Sequence, residues 1–258
     1  MKLIRSGRAV AGTVPDVADS PFLKPFVLPV EQIEPERHGN LDLYLPADPQ
    51  PGPAVVFVHG GPLPPDQRPT PRDWPVYRAY GSLAASRGAV GVTVDHGLYG
   101  IDAYPVAAAD VVEAVTVVRE DPRVDPDRLA LWFFSGGGLL LADWLRTPPD
   151  WLRCVAASYP ILGAPPGFDV DPRFRPAEAV AGAGDLPIVL TRVGRERPAF
   201  AATVEDFVTA AQARGARLTV VDVPDGQHAF DILDDTDESR DAIQRAFDAV
   251  LATLSTVE

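Results

Sequence analysis

The sequence predicts an α/β protein built on a mostly parallel central sheet with helices on both faces, and three observations carry that expectation. Short apolar runs rich in β-branched residues recur at 54–58, 89–94, 129–134, 154–158, 187–191 and 218–223, the signature of strands buried on both faces. Amphipathic helical patterns lie between several of them, and strand–helix alternation of this kind builds parallel sheets. The 258 residues, 46% of them hydrophobic, supply one sizeable core. Length alone allows two domains, but no repeat or convincing linker divides the chain, so one domain over 1–258 is expected.

The elements follow in order. Pro15, Pro21, Pro25, Pro29 and Pro35 punctuate the first 40 residues, which predicts extended chain with short strands, residues 1–25 forming an arm. Asn40 to Pro46 alternates apolar and polar residues, the period of a half-buried strand. After the run at 54–58, helices are predicted over 77–87, over 106–119 with Val111, Ala114, Val115 and Val118 on one stripe, and over 200–214 with Val204, Phe207, Val208 and Ala211 on one face. Ile243, Phe247, Val250, Leu251 and Leu254 mark a last amphipathic helix. The acidic run Asp231 to Glu238 reads as a solvated approach to it, with Ser239 as N-cap. Residues 161–184, carrying Pro165, Pro166, Pro172 and Pro176, are loop-like and expected to form at most a small lid.

Composition excludes several functions. A formal net charge of −13 argues against nucleic acid and against an anionic membrane surface, both of which need basic patches. The N-terminus lacks the apolar core of a signal peptide, and no charge-free run approaches a membrane span, so a cytoplasmic setting is expected. The single Cys154 excludes a multi-cysteine metal or redox framework. Proline, at 28 residues, is roughly twice its usual share of ~5%. Its concentration in loops after His59 and Ile161 would stiffen the walls of a pocket.

Leu131-Trp-Phe-Phe-Ser135-Gly-Gly-Gly138 runs from a buried strand into a serine, then into glycines and an apolar helical stretch. That context suits a nucleophile elbow, in which a sharp turn exposes the serine Oγ and the N–H of the next residue, Gly136, meets an oxyanion. One departure is Phe133, standing where such motifs carry their first glycine. Val58-His59-Gly60-Gly61-Pro62 follows the first long strand and matches the loop type whose glycine N–H groups complete an oxyanion hole. His228, in Pro224-Asp-Gly-Gln-His228-Ala-Phe230, falls after the last strand, where a general base for Ser135 belongs. His59 belongs to the glycine loop, His38 reads as a turn residue and His96 falls in a loop after a strand. Glu196 is the only carboxylate in the loop after the strand at 187–191, which gives the order Ser135, Glu196, His228. Asp225 is the alternative acid, although its closeness to His228 in sequence makes a ring-orienting geometry difficult.

Together, His59-Gly-Gly-Pro62, Phe134-Ser-Gly-Gly137, Val193-Gly-Arg-Glu196 and Gly226-Gln-His-Ala-Phe230 resemble the α/β-hydrolase superfamily, in its esterase and dienelactone-hydrolase-like branches. The resemblance covers about residues 26 to 255. It implies the α/β-hydrolase fold, Ser135 as nucleophile, His228 as base, Glu196 as acid, and Gly61 and Gly136 as oxyanion donors. Phe133 for glycine and Glu196 for aspartate depart from the pattern. The expected activity is hydrolysis of a small-molecule carboxylic ester or lactone through an acyl-enzyme, with no metal or organic cofactor; a homodimer is left open. Leu63, Trp74, Phe168 and Phe174 are the expected pocket walls. The basic island Arg192, Arg195 and Arg197 reads as a solvated loop, with attraction of an anionic substrate as its alternative. The rival functions are a peptidase or amidase of the same fold and a non-catalytic binding module, the latter prompted by Phe133.

Overall fold

The structure, a computed structural model, describes residues 21–48, 50–164, 167 and 169–255. Its strands are β1 (Glu36–His38), β2 (Leu41–Tyr44), β3 (Gly52–Val58), β4 (Val90–Val94), β5 (Val124–Phe134), β6 (Leu152–Ser158), β7 (Ile188–Val193) and β8 (Leu218–Val223). Its helices are α1 (Pro75–Ser86), α2 (Tyr104–Glu120), α3 (Leu141–Arg146), α4 (Pro176–Ala179), α5 (Pro198–Ala213), α6 (Phe230–Leu233) and α7 (Asp237–Ser255). The strands pair in the order β1-β2-β4-β3-β5-β6-β7-β8. Those from β4 to β8 along that order run parallel, while β1 and β2 form an antiparallel edge. His38 therefore ends a strand, and the turn expected around it falls on Gly39 and Asn40 instead.

Alternation along the central strands sorts their side chains onto two cores. Val56, Val58, Leu131, Phe133, Val155 and Ala157 face α2, α3 and α5. Val55, Phe57, Ala130, Trp132, Phe134 and Ala156 face α1 and α7. The second core is aromatic: Phe57, Tyr80, Trp132, Phe134 and Phe247 pack with centroid separations from 4.9 to 6.5 Å. Such pairs add about 0.5–1.5 kcal/mol each beyond the area they bury. Phe133 is fully buried in the first core, so the bulk that departs from the glycine pattern is absorbed by packing against the helices.

Helix α1 approaches the sheet where two backbones nearly touch. A Cβ on Gly91 would lie 2.3 Å from the Gly81 oxygen, and one on Gly81 would lie 2.3 Å from the Tyr44 ring. Gly91→Ala is therefore expected to destabilise the protein by about 1–3 kcal/mol, read as a lowered urea midpoint with an unchanged slope. Among the described residues, no helix is long and apolar enough to cross a membrane.

Two loop expectations change. The acidic run is not a solvated approach throughout: Asp231 is completely buried. Ser239 lies inside α7, and the Thr236 hydroxyl accepts its N–H at 3.1 Å, so Thr236 serves as the cap. In the segment 161–184, Phe174, Ala179, Val180 and Ala183 sink into the first core with α3 and α5.

Candidate active site

Strand β5 ends at Phe134, and Ser135 turns the chain sharply with φ 48° before a 3₁₀ helix over Ser135–Leu140. A non-glycine residue in the left-handed region is strained and persists only where its surroundings fix it. The surroundings here are glycines: a Cβ on Gly60 would lie 2.8 Å from Ser135 Cβ, and one on Gly136 would lie 2.0 Å from the Gly61 oxygen. Tyr104 on α2 steadies the same turn, its hydroxyl donating to the Gly136 carbonyl at 2.8 Å. The sequence thus makes the serine prominent by removing side chains from everything that must pass beneath it.

Ser135 Oγ and His228 Nε2 are 2.7 Å apart, and His228 Nδ1 lies 2.5 Å from Glu196 Oε2. Glu196 comes from the turn after β7, and its other oxygen accepts the Arg197 N–H at 2.7 Å. The carboxylate is thereby held at both oxygens, with only 4% of its side chain exposed. With the Nδ1 proton directed at Glu196, Nε2 is left as the acceptor facing the serine hydroxyl. This chain of hydrogen bonds can move a proton off Ser135 and stabilise the imidazolium that results. Asp225 points elsewhere: it pairs with Arg195 at 2.7 Å and its side chain is 77% exposed.

The glycine loop is shaped by a histidine pair. The His59 and His96 rings stack at 3.7 Å with 7° between their planes. The His96 N–H donates to His59 Nε2, and His96 Nε2–H donates to the His59 carbonyl at 3.0 Å. His59 Nδ1 is then the donor toward the Gly60 oxygen, 2.5 Å away. Burial lowers the His59 pKa to about 4 and drives that of His96 well below its usual range, so both rings are neutral at pH 7. His96 is therefore a structural partner of the loop. Gly60 directs its N–H to the Tyr77 hydroxyl at 3.4 Å. Gly61 follows it, next to Gly136.

The serine opens on a cavity of about 510 Å³. Leu63 and Trp74 line it as expected, joined by Tyr77, Tyr104, Leu139, Tyr159, Phe200 and Ile232. Phe174 does not: it is fully buried beneath the cavity, its ring 5.5 Å from Tyr104. Phe168 lies outside the described residues; Ile161 and Val170 are what the 161–184 segment contributes to the wall. Of the three arginines, Arg192 pairs with Asp222 and Glu205, and Arg195 with Asp225. Arg197 reaches the cavity, its guanidinium 5.6 Å from the Phe200 ring. Among the described residues, no three His, Cys, Asp or Glu side chains converge as a metal-binding group. Sequence reading missed Tyr77, Tyr104 and Tyr159, brought to the site from elements distant in the chain, and Phe200 and Asp231, which lie close in sequence to Glu196 and His228.

No protein-family model matches the chain, and no curated protein matches it. Solved structures do. A mutant of the esterase rPPE superposes with a TM-score of 0.68 at 19% identity, covering 91% of this chain and 85% of that one. The propionate-bound esterase Est2 of Thermogutta terrifontis superposes with a TM-score of 0.65 at 18% identity, covering 90% and 97%. A putative dipeptidyl aminopeptidase IV from Bacteroides ovatus matches with a TM-score of 0.61 at 16% identity, over 84% of this chain but 33% of that one. The sheet order, the turn at Ser135 and these superpositions agree: the chain has the α/β-hydrolase fold.

Proposed function

We propose that this protein is a serine hydrolase that cleaves small or medium carboxylic esters or lactones through an acyl-enzyme. The observation that carries the reading is the hydrogen-bonded chain Ser135–His228–Glu196 opening on an apolar cavity. Ser135 Oγ attacks the ester carbonyl as His228 Nε2 takes its proton, and Glu196 holds the imidazolium in place. The carbonyl oxygen becomes an oxyanion facing the N–H groups of Gly61 and Gly136. Gly136 stands in the first turn of a 3₁₀ helix, where N–H groups have no intrahelical acceptor. His228 then protonates the leaving alcohol and activates the water that frees the acid. No step calls for a metal or organic cofactor.

The folds of its neighbours support the same chemistry. One of them, Thermogutta terrifontis esterase 2, is described as phosphonylated by cyclosarin, and Est22 as holding p-nitrophenol. The peptidase reading is weaker. Among the described residues, no carboxylate lines the cavity to hold a peptide's amino terminus. A fluorophosphonate probe separates the catalytic readings from a binding module, and matched aryl esters and aryl amides separate esterase from amidase. Stoichiometric labelling mapped to Ser135, together with turnover of short-chain p-nitrophenyl esters, supports an esterase. Absence of labelling of the folded protein from pH 6 to 9 sinks it in favour of a binding module.

Trp74, at the start of α1, lines the cavity and is placed to limit substrate size. Trp74 stacks on Phe22 at 4.5 Å with 12° between rings, and its indole N–H donates to the Pro69 carbonyl at 3.0 Å. Trp74→Ala is expected to raise KM for medium-chain esters about tenfold, in line with 1–3 kcal/mol of lost apolar contact, while changing kcat less. A chain-length series of esters checks it.

A further inference from the structure

Beneath the histidine lies a second carboxyl that the acyl-transfer scheme leaves unused. Asp231 is completely buried at the start of α6, three residues after His228. Its Oδ2 accepts hydrogen bonds from the Tyr159 hydroxyl at 2.9 Å and from the Tyr80 hydroxyl at 3.1 Å. Its Oδ1 is buried without a partner among the described residues. Tyr159, in turn, meets the His228 ring edge-on, with centroids 5.1 Å apart and planes at 63°. The Tyr159 backbone is fixed in the left-handed region at φ 39°, with its N–H bonded to the Thr191 carbonyl at 2.9 Å. Tyr159 thus links the two: its hydroxyl is bonded to the buried carboxyl and its ring packs on that of the histidine.

From this arrangement we infer that Asp231 is a positioning residue for the proposed base, acting through Tyr159 on the His228 ring and adding negative charge behind the imidazolium. The inference rests on the esterase reading of the same site. The titratable groups around Asp231 are Tyr77 and Tyr80 from α1, Tyr159 after β6, and His228 from its own loop. From the described part of the N-terminal segment, the Val27 N–H donates to the Asp231 carbonyl at 2.9 Å. All three tyrosine hydroxyls are held above their ordinary pKa by burial, so none competes with the carboxyl for charge below pH 9.

Ionised Asp231 accepts both tyrosine hydroxyls. Protonated, it must itself donate, yet Oδ1 has no acceptor within reach. A proton on Oδ2 would instead require Tyr80 or Tyr159 to turn from donor to acceptor. Protonation therefore loosens the ring that packs on His228. Burial raises the Asp231 pKa from 3.8 to about 6, against the lowering effect of the two tyrosines and His228. A carboxyl raised in the folded state contributes stability that is fully present below its unfolded value, near 4, and lost as pH rises through about 6. Above about pH 6 the negative charge at this position is thus held at a cost to the fold.

The test is the pH dependence of kcat/KM for p-nitrophenyl acetate in wild type, Asp231→Asn and Tyr159→Phe. In wild type the acidic limb is expected to include protonation of Asp231, whose pKa burial raises to about 6. Asp231→Asn is expected to lose that step, leaving a shallower limb displaced to lower pH, with kcat reduced about tenfold. Tyr159→Phe keeps the ring but cuts its tie to the carboxyl, and is expected to lower kcat and flatten the limb in the same direction. Thermal melts supply a readout independent of turnover: the fall in Tm from pH 5 to pH 8 expected in wild type should shrink in Asp231→Asn. A limb and a kcat identical to wild type in Asp231→Asn overturn the inference and leave Asp231 a packing residue. If Asp231→Asn does not fold, the wild-type shape of the Tyr159→Phe profile decides in the same way. Labelling of wild-type Ser135 stays intact in every one of these outcomes, so its absence would instead reject the esterase reading itself.

Discussion

Ser135→Ala is expected to abolish covalent labelling by a fluorophosphonate and to lower kcat for an activated ester by about 10⁴-fold or more. The size of the loss follows from what the side chain does and what it leaves behind. Removing Oγ eliminates the proposed nucleophile and with it the proposed acyl-enzyme route. Substrate binding in the apolar cavity survives, as do the backbone N–H groups of Gly61 and Gly136, and these sustain a residual rate above that in water. KM should therefore move little while kcat collapses. The fold has little reason to change: one side-chain hydrogen bond, 2.7 Å to His228, is lost. The strained turn remains, because its φ of 48° is imposed by the glycines packed around it and by Tyr104. A melt within a few degrees of wild type, measured beside the kinetics, separates loss of chemistry from loss of structure. Retention of more than a tenth of the wild-type kcat would mean that another group performs the attack.

The parts of this site visible in the sequence are those whose local chemistry differs from their surroundings. Glycines following Ser135 and His59 stand out because close backbone approach admits nothing larger, and the structure packs Gly60 against Ser135 and Gly136 against the Gly61 carbonyl. The strands β3, β6 and β7 are legible as unbroken apolar runs because both faces are covered. The first half of β5 is hidden, since Asp125, Pro126, Asp127 and Arg128 carry no apolar signal; pairing of Val124 with Gly52 extends that strand. Phe174 and Trp74 look alike as candidate walls, yet one is drawn into the core beside α3 and α5 while the other faces the cavity. Only the path of the chain distinguishes them. Asp231 fails for the opposite reason. Its acidic neighbours Asp234 to Glu238 make it read as surface, and the tyrosines that bury it stand 151 and 72 residues away. His228 precedes α6 and Ala229 between them is left-handed at φ 62°, so helical periodicity does not tie Asp231 to the histidine either.

Glu196→Gln is expected to lower kcat by about 10⁴-fold, the cost of holding the histidine in the wrong tautomer. The geometry determines which way the new amide will face. The Arg197 N–H needs an acceptor, and at present Glu196 Oε1 supplies it at 2.7 Å. In the glutamine variant the carbonyl oxygen keeps that bond, which turns the NH₂ group toward His228 Nδ1, now 2.5 Å from the carboxylate oxygen. Two donors cannot face each other across that gap. His228 must carry its proton on Nε2 and present a bare Nδ1 to the amide. Nε2, 2.7 Å from Ser135 Oγ, then has no lone pair with which to accept the serine proton. Substrate should still bind, so KM stays near its wild-type value, and slow phosphonylation of Ser135 accompanies the slow turnover. Asp225→Asn is the matched control. Its carboxylate is exposed and paired with Arg195, so turnover within threefold of wild type is expected. The reverse pattern, with Asp225→Asn inactive and Glu196→Gln active, would transfer the acid's role to the residue nearer in sequence. It would also require the loop carrying Asp225 to swing inward, because a side chain that is 77% exposed and bound to Arg195 cannot orient the ring from where it stands.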